Sequence, residues 1–249
     1  MIGGGKPKIL VTRPQPGADL TATRLAAVGI EALILPFTEM VTLAHQLDEI
    51  ALDHTDAVVV TSANALRHTN AQLLNELKNL PVYTVGDATK DAAFELGLGN
   101  VTSANGDGSD LARLVVEKMK PNSSIVYLCG RTRTEDVELS LGNSGFEICV
   151  VETYQTNKVS QLTYNLKQLM EHHTIDGILL YSGVSAQIYS EFLLHDGIGE
   201  SLVIPMSFCI SERAKAALFP SQQSHAVVCA QPRDDVMIET VEAYFRPKN

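Results

Sequence analysis

The sequence predicts an α/β fold built on parallel sheets, and two observations lead to this prediction. Short runs rich in β-branched residues alternate with stretches whose apolar residues recur at helical spacing, which is typical of βαβ units. The strand-like runs show no apolar–polar alternation, as expected for strands that helices cover on both faces. These runs are residues 8–11, 57–60, 81–85, 124–128, 147–151, 177–180 and 226–229.

Two of the intervening stretches carry clear helical repeats. Apolar residues recur at i, i+3, i+4 and i+8 over residues 111–119, and Ser109 is expected to cap that helix. A similar repeat covers residues 159–170, with Asn157 as its expected cap. Both stretches have the length of helices that cross over between parallel strands.

The chain also nearly repeats itself, which indicates two similar domains from an internal duplication. An A segment (9–36) is followed by a B segment (56–68 with 83–97), and similar A and B segments follow later, so the order along the chain is A1–B1–A2–B2. Repeats of this size indicate duplicated domains. The pairs are 9–36 with 125–151, 56–68 with 176–189, and 83–97 with 208–220.

Two domain arrangements fit that order. Tandem halves would divide near Pro121, whereas an interleaved arrangement would pair the first B segment with the second A segment. In the interleaved case two short links would cross together, around residues 37–39 and 153–156. The periodicity fits both arrangements.

Charge and composition exclude several classes of function. The 249 residues include 19 Lys and Arg against 29 Asp and Glu, a net charge of −10. General binding to nucleic acid needs a positive face, so no nucleic-acid partner is expected. We expect no membrane contact and no signal peptide, because no apolar run approaches the roughly 20 residues that span a bilayer. The four cysteines lie far apart and lack metal-ligand spacing, which favours reduced thiols, a cytoplasmic location and no metal.

Polar turns follow several predicted strands and form the candidate ligand-binding residues. In a parallel sheet the ligand crevice lies beyond the carboxyl ends of the strands, where helix N-termini attract carboxylates or phosphates. Simple helix capping by the same Ser and Thr side chains is the alternative role. The residues are Thr61, Ser62, Ala63 and Asn64 after the second strand-like run, Gly86 and Thr89 after the third, and Ser182 and Gly183 after the sixth.

Arginines follow two strands that correspond to each other in the repeat. Arg13 comes after residues 8–11, and Arg131 and Arg133 come after residues 124–128. All three precede a predicted helix. At such a position the sequence pattern is the same for an arginine that binds an anion and for one that is only solvated, so both roles stay open.

Familiar cofactor and catalytic motifs are missing from the sequence. It contains no GxGxxG, no GxxxxGK[ST] and no GxSxG, so neither a nucleotide cofactor nor a hydrolase nucleophile is expected. His172 and His173 are adjacent and make a poor metal pair on a helix, and the other histidines are scattered. No pair of carboxylates stands out as a general acid and base. The chemistry is therefore expected to need little acid–base machinery.

Taken together, these pieces resemble the uroporphyrinogen-III synthase family. The resemblance rests on VTRPQPGADLTATRLAAVGIEALILP, DAVVVTSANALRH, VYTVGDATKDAAFELG, CGRTR with SGFEICVVETYQT, and DGILLYSGVSAQIYSEF, which extend from about residue 8 to residue 219. It implies a cofactor-free, cytoplasmic and monomeric enzyme that cyclises hydroxymethylbilane to uroporphyrinogen III, inverting the last pyrrole and losing water. This product leads to haem, sirohaem or cobalamin. Transient contact with the preceding pathway enzyme is also expected.

The resemblance further implies interleaved domains and assigns roles to individual residues. The domains would be 1–36 with 157–249, and 39–153, joined by a two-stranded link near 37–38 and 154–156, with the active site in the cleft. Tyr154 matches the tyrosine of the family that can act as a weak acid. Thr61 and Ser62, Thr89, and Ser182 match its hydroxyl-bearing turns. The last such turn is not kept, since Ser211 and Ala214 stand where the family usually has Gly and Thr.

A second hypothesis comes from another functional class. A two-domain protein that binds a small anionic metabolite without catalysis would show the same strand-end turns. The altered turn at residues 210–218 is the feature that favours it, because a turn without the family's usual residues fits lost catalysis.

Overall fold

The structure is a computed structural model that describes residues 6–44, 52–194 and 203–246. Strands alternate with helices and form two sheets, as an α/β fold requires. The chain divides into two compact units, which we call unit 1 (1–39 with 157–249) and unit 2 (40–156). Unit 1 is therefore discontinuous in sequence.

Unit 1 holds a five-stranded parallel sheet. Its elements in the first segment are β1 (Lys8–Val11), α1 (Gly17–Ala27) and β2 (Glu31–Ile34), and numbering resumes at α7 after those of unit 2. The second segment contributes α7 (Leu162–His172), β9 (Gly177–Leu180), α8 (Gly183–Leu194), β10 (Met206–Cys209), α9 (Glu212–Ala216), α10 (Pro220–Gln223), β11 (Ala226–Val228) and α11 (Asp234–Phe245). The strand order is β11-β10-β9-β1-β2.

A six-stranded sheet belongs to unit 2. Its elements are β3 (Thr38–Thr42), a 3-10 turn (Leu52–His54), β4 (Ala57–Val60), α2 (Ala63–Arg67), α3 (Ala71–Leu77), β5 (Val82–Thr84), α4 (Asp87–Glu95), β6 (Val101–Ser103), α5 (Gly108–Lys118), β7 (Ser124–Gly130), α6 (Asp136–Asn143) and β8 (Glu147–Lys158). The order is β3-β8-β7-β4-β5-β6. The unit boundaries fall inside β3 and β8, because each of these neighbouring strands continues from one unit into the other.

Corresponding strands of the repeat occupy corresponding places in the two sheets. The order β2-β1-β9-β10-β11 in unit 1 matches the order β8-β7-β4-β5-β6 in unit 2. Corresponding helices also end alike, since α1 and α6 are each followed by a glycine with positive φ, Gly29 at +78° and Gly145 at +85°. Glycine adopts this left-handed conformation without a steric penalty, which explains its place in both turns. The strand order thus agrees with the repeat in the sequence.

Each sheet is covered by helices on both faces. In β4, Val58 and Val60 pack with α2, α3 and α4, whereas Ala57 and Val59 pack with α5 and α6. Residues of β1 and β9 divide in the same way between α7–α9 on one face and α1 with α11 on the other. Burial on both faces explains why the strand sequences are continuous apolar runs.

Two expected helix caps are wrong. The N-cap of α5 is Asp107 rather than Ser109, because the Asp107 carboxylate accepts the backbone N–H groups of Ser109 at 2.8 Å and Asp110 at 3.1 Å. Asp110 accepts the N–H of Asp107 in return at 3.0 Å, which completes a capping box. Asn157 lies within β8, which runs on to its end at Lys158, and α7 begins later, at Leu162.

The Tyr189 hydroxyl gives a prediction about stability. Tyr189 lies in α8 with no exposed surface, and its hydroxyl has no hydrogen-bond partner among the described residues. An unpaired buried hydroxyl costs about 1–3 kcal/mol. We therefore expect Tyr189→Phe to leave the free energy of unfolding unchanged or to raise it by about 1 kcal/mol, as measured by urea denaturation. A loss of more than about 1 kcal/mol would contradict this assignment.

Candidate functional site

The sequence-predicted residues of unit 2 gather at the carboxyl edge of the six-stranded sheet. Because β4, β5, β7 and β8 run parallel, the residues that follow β4, β5 and β7 reach the same edge. Those residues are Thr61, Ser62, Ala63, Asn64, Gly86, Thr89 and Arg131, and Tyr154 of β8 lies at the same level, opposite the last residue of β7.

The two hydroxyls after β4 face different neighbours. Ser62 is the N-cap of α2 and accepts the backbone N–H of Asn64 at 3.2 Å. Ala63 and Asn64 form the first turn of that helix. The Thr61 hydroxyl instead lies 3.1 Å from the Tyr127 hydroxyl of β7. The capping role therefore applies to Ser62, and Thr61 has a different environment.

The turn after β5 presents backbone rather than side chains. Gly86 is the N-cap of α4 and offers no side-chain cap, so no side chain closes the start of this helix. Thr89 lies in its first turn and is 5% exposed. A ligand at this turn would therefore meet mainly the N–H groups that begin the helix.

A cavity of about 390 Å³ opens at this edge, between the starts of α5 and α6. Thr61 lines it together with Tyr127, Arg133 and Thr134, and the first residues of both helices complete the wall. The cavity lies entirely within unit 2. Sequence reasoning selected Thr61 for a binding role and did not select Tyr127, which reads as a core residue of a strand.

Arginine and carboxylate side chains form a paired network beside the cavity. Arg131 donates to Glu152 at 2.9 Å and to Gln155 at 2.7 Å. Arg133 donates to Glu152 at 2.9 Å and to Glu138 at 2.7 Å. Hydrogen bonds from Arg131 and Arg133 lower the pKa of Glu152, which favours its charged form. Both arginines are thus partly neutralised, so any anion would compete with these carboxylates.

A β-bulge sets the orientation of the Tyr154 side chain. The pairing of β7 with β8 shifts between Cys129 and Gly130, so Tyr154 lies opposite Gly130 and Thr153 is the extra residue. The buried Thr153 hydroxyl donates to the carbonyl of Ala65 at 2.9 Å, which ties the bulge to α2. Bulges of this kind redirect side chains and are frequent next to functional sites.

The Tyr154 ring contacts two neighbours within unit 2. It stacks on His68 with ring centroids 5.5 Å apart and an interplanar angle of 29°. On Gly130, a methyl group would lie 2.7 Å from Tyr154 Cζ and 2.9 Å from its hydroxyl oxygen, so only glycine allows this approach. The Tyr154 hydroxyl makes no hydrogen bond to the residues that the structure describes.

His68 is a residue that the sequence did not single out. Its Nδ1 lies 2.8 Å from the Thr42 hydroxyl, and burial lowers its pKa, which favours the neutral imidazole. The histidines are scattered along the sequence and form no motif, so the sequence did not indicate that His68 lies beside Tyr154. His68 is the C-cap of α2 and Tyr154 belongs to β8, so the two rings are far apart in sequence and meet only in the folded unit.

In unit 1, Arg13 belongs to a compact polar cluster at the carboxyl edge of the five-stranded sheet. It donates to Asp234 at 3.0 Å and to Thr21 at 3.3 Å, and its guanidinium carbon lies 4.3 Å from the centre of the Tyr181 ring. Asp234 also accepts hydrogen bonds from Tyr181 and Arg24. Arg13 is therefore engaged by its own protein, and an anion at this position would have to compete with Asp234.

The remaining predicted residues of unit 1 begin a helix at the same edge. Gly183 is the first residue of α8. The Ser182 hydroxyl accepts the N–H of Ser185 at 3.1 Å, and the Ser185 hydroxyl accepts the N–H of Ser182 at 3.1 Å. Ser211 caps α9 by accepting the N–H of Ala214 at 3.3 Å.

Neither a metal centre nor a membrane span is found in the part of the chain that the structure describes. No group of three or more His, Cys, Asp or Glu side chains is arranged there to hold a metal ion. The same residues contain no helix long and apolar enough to cross a membrane. The four cysteines are unpaired.

Comparison with known families gives an extended match. A family model described as uroporphyrinogen-III synthase HemD matches residues 19–239. The chain is 23% identical over 222 residues to uroporphyrinogen-III synthase of Saccharomyces cerevisiae, covering 79% of each protein. It is 25% identical over 193 residues to the porphyrin biosynthesis protein HemD of Ruminiclostridium josui, covering 72% of this chain and 38% of that protein.

Solved structures show the same fold. The chain is similar to uroporphyrinogen-III synthetase from Helicobacter pylori, with a TM-score of 0.64, 13% identity, and coverage of 96% of this chain and 99% of that chain. It is also similar to a mutant uroporphyrinogen III synthase from Thermus thermophilus, with a TM-score of 0.58, 12% identity, and coverage of 97% of this chain and 100% of that chain. At these identities the likeness concerns the fold alone.

The close approach of Tyr154 to Gly130 predicts the effect of a single methyl group. Gly130→Ala would place a methyl 2.7 Å from Tyr154 Cζ, so the ring must move, and we expect unfolding to require about 1–3 kcal/mol less. Gly142→Ala is the control, because this glycine lies inside α6 with no atom near its added methyl. Crystal structures and urea unfolding of both variants would test this. An unmoved Tyr154 ring in Gly130→Ala would contradict it.

Proposed function

We propose that this chain, which belongs to the uroporphyrinogen-III synthase family, cyclises hydroxymethylbilane to uroporphyrinogen III in porphyrin biosynthesis. The match over residues 19–239 carries the proposal, because it includes nearly all elements of both units. The hydroxyl-bearing turns at the carboxyl edges of both sheets agree with it. The alternative of a non-catalytic binding protein is not favoured by these comparisons.

The reaction breaks the C–O bond of the hydroxymethyl group and joins two carbon centres of the substrate, and it then breaks one carbon–carbon bond and forms another to invert the last ring. The hydroxymethyl oxygen takes up a proton and leaves as water, and the resulting azafulvenium cation is attacked by a substituted pyrrole carbon of the same substrate. The spiro intermediate then opens and recloses with the last ring inverted, releasing a proton from the pyrrole. Since the substrate supplies both reacting centres, the protein contributes chiefly by holding the chain in one folded conformation.

Tyr154 is the residue we propose as the weak acid that donates the proton to the leaving hydroxyl. Its hydroxyl has no protein partner in the described chain, while its ring is held by His68 and Gly130. A phenol with these properties combines a fixed position with a free donor, as a general acid requires.

The substrate carries eight carboxylates, and we propose that neutral donors bind many of them. Candidates are the Thr61 hydroxyl and the N–H groups that begin α2, α4 and α8, at Ala63, Gly86 and Gly183. The Ser182 hydroxyl is a further candidate, and to bind substrate it would exchange its bond to the Ser185 hydroxyl, 3.2 Å away, for one to a carboxylate. Asn64 and Thr89 lie in the first turns of α2 and α4, and Ser62 holds α2 in place. Arg13 and Arg131 would add charge, moderated by their carboxylate partners.

We further infer that the enzyme acts as a monomer in the cytoplasm without a cofactor, and that it receives its substrate from the preceding pathway enzyme. These inferences rest on the family resemblance. Size-exclusion chromatography with light scattering would measure the oligomeric state.

The proposed activity predicts the isomer that the protein forms. Purified protein is given freshly prepared hydroxymethylbilane, and the oxidised porphyrins are separated by isomer. We expect predominantly the type III isomer, while a reaction without protein gives type I by direct ring closure. Type I alone, at the rate without protein, would contradict the proposal.

A second prediction concerns Tyr154. Tyr154→Phe removes the proposed proton donor and should lower kcat by about a hundredfold, the lower range for general acid catalysis, with thermal unfolding unchanged. Tyr164→Phe is the matched control, because Tyr164 lies on α7 and is 64% exposed. An unchanged kcat in Tyr154→Phe would remove Tyr154 from the mechanism.

A further inference from the structure

The pairing of β4 with β7 brings a tyrosine to Thr61. Val59 of β4 lies opposite Tyr127 of β7 in the parallel register, and Thr61 follows Val59 by two residues on the same face. Two residues of strand advance about 6.6 Å toward the carboxyl edge, a distance that a tyrosine side chain can reach. The Tyr127 hydroxyl accordingly ends 3.1 Å from the Thr61 hydroxyl.

The environment of Tyr127 assigns the direction of this hydrogen bond. Tyr127 is 1% exposed and packs among apolar residues of α5 and α6, and Thr61 is its hydrogen-bond partner among the described residues. Burial raises the pKa of Tyr127 to about 12, so the phenol keeps its proton. A phenol is a better donor than an alcohol, and we therefore assign Tyr127 as the donor and Thr61 as the acceptor.

This assignment directs the Thr61 proton away from Tyr127 and toward another acceptor. Once the Thr61 oxygen accepts from Tyr127, its own O–H is free to donate elsewhere. Both residues line the cavity of about 390 Å³ at the edge of the sheet. The free O–H is thus available to a ligand in that cavity, and the second bond on the same oxygen strengthens it as a donor.

We propose that Tyr127 is a positioning residue, which holds the Thr61 hydroxyl so that it donates to a carboxylate of the substrate. This inference deepens the proposed function and rests on it. In this arrangement the Tyr127 hydroxyl acts through Thr61, because its proton is donated to the Thr61 oxygen. Ser62, the other hydroxyl of the same turn, differs in that its oxygen accepts from the backbone N–H of Asn64 and not from a tyrosine.

A core-packing role for Tyr127 predicts a different outcome. Tyr127→Phe keeps the ring and removes a single oxygen, so packing would be preserved and binding unaffected if the ring alone mattered. If the hydroxyl orients Thr61, the same change weakens binding of the substrate while the chemical step proceeds as before. The ratio of the effects on KM and kcat therefore separates the two roles.

The experiment is a double-mutant cycle with Tyr127→Phe, Thr61→Val and the double variant. Tyr189→Phe is the control. It also removes a buried tyrosine hydroxyl, but unlike that of Tyr127 this hydroxyl has no hydrogen-bond partner among the described residues. Rates of type III isomer formation give KM and kcat, and thermal unfolding reports stability. We expect Tyr127→Phe to raise KM about tenfold with kcat within about twofold, and Tyr189→Phe to change neither.

The cycle also tests whether the effect passes through Thr61. In the Thr61→Val background, Tyr127→Phe should raise KM no further, because the hydroxyl it orients is gone. Additive effects, or an unchanged KM in Tyr127→Phe with active wild-type protein, would overturn this inference alone. Absence of the type III isomer with wild-type protein would overturn the proposed function and this inference with it.

Discussion

Strand β7 pairs with β4 on one side and β8 on the other, and these two pairings position the candidate chemistry of unit 2. The regular register with β4 brings Tyr127 to Thr61. The irregular register with β8 turns Tyr154 toward Gly130 and His68. Because backbone hydrogen bonds fix both registers, a shift of one residue would move these side chains to the opposite face of the sheet.

The candidate binding groups of the two units include neutral hydrogen-bond donors, which can bind an anion despite the negative net charge of the chain. The chain carries a net charge of −10, yet its proposed substrate is a polyanion. Arg13, Arg131 and Arg133 each pair with carboxylates of the protein, so their charge is already partly used. Hydroxyl and backbone N–H groups donate hydrogen bonds without adding charge. The net charge of the chain therefore does not predict its proposed ligand.

Corresponding places in the two units have diverged. Thr61 corresponds to Tyr181 in the repeat, and Tyr127 corresponds in register to Val11. In unit 2 this region, between the starts of α5 and α6, is an open cavity. In unit 1 the side chains of Arg13 and Asp234 meet at the corresponding region, between the starts of α1 and α11, and bond to each other. The same backbone plan thus gives a cavity in one unit and a closed polar cluster in the other.

The sequence alone predicted the features that depend on short-range patterns. The apolar runs and helical repeats predicted the parallel α/β class, the internal repeat predicted two similar sheets, and the turn motifs predicted that Thr61, Ser62 and Ser182 reach strand ends. Two caps were wrong for different reasons. Asp107 displaces Ser109 at the start of α5 through a local capping box with Asp110. Asn157 lies in β8 because the length of a strand depends on the strand it pairs with.

The tertiary structure decided which side chains meet. The β-bulge at Thr153, the stacking of His68 on Tyr154 and the bond from Tyr127 to Thr61 all join residues far apart in sequence. Such contacts are set by the register between strands, where one residue exchanges the two faces of a sheet. Local residue patterns place a side chain at the end of a strand, and only the packed sheet determines which neighbour it faces.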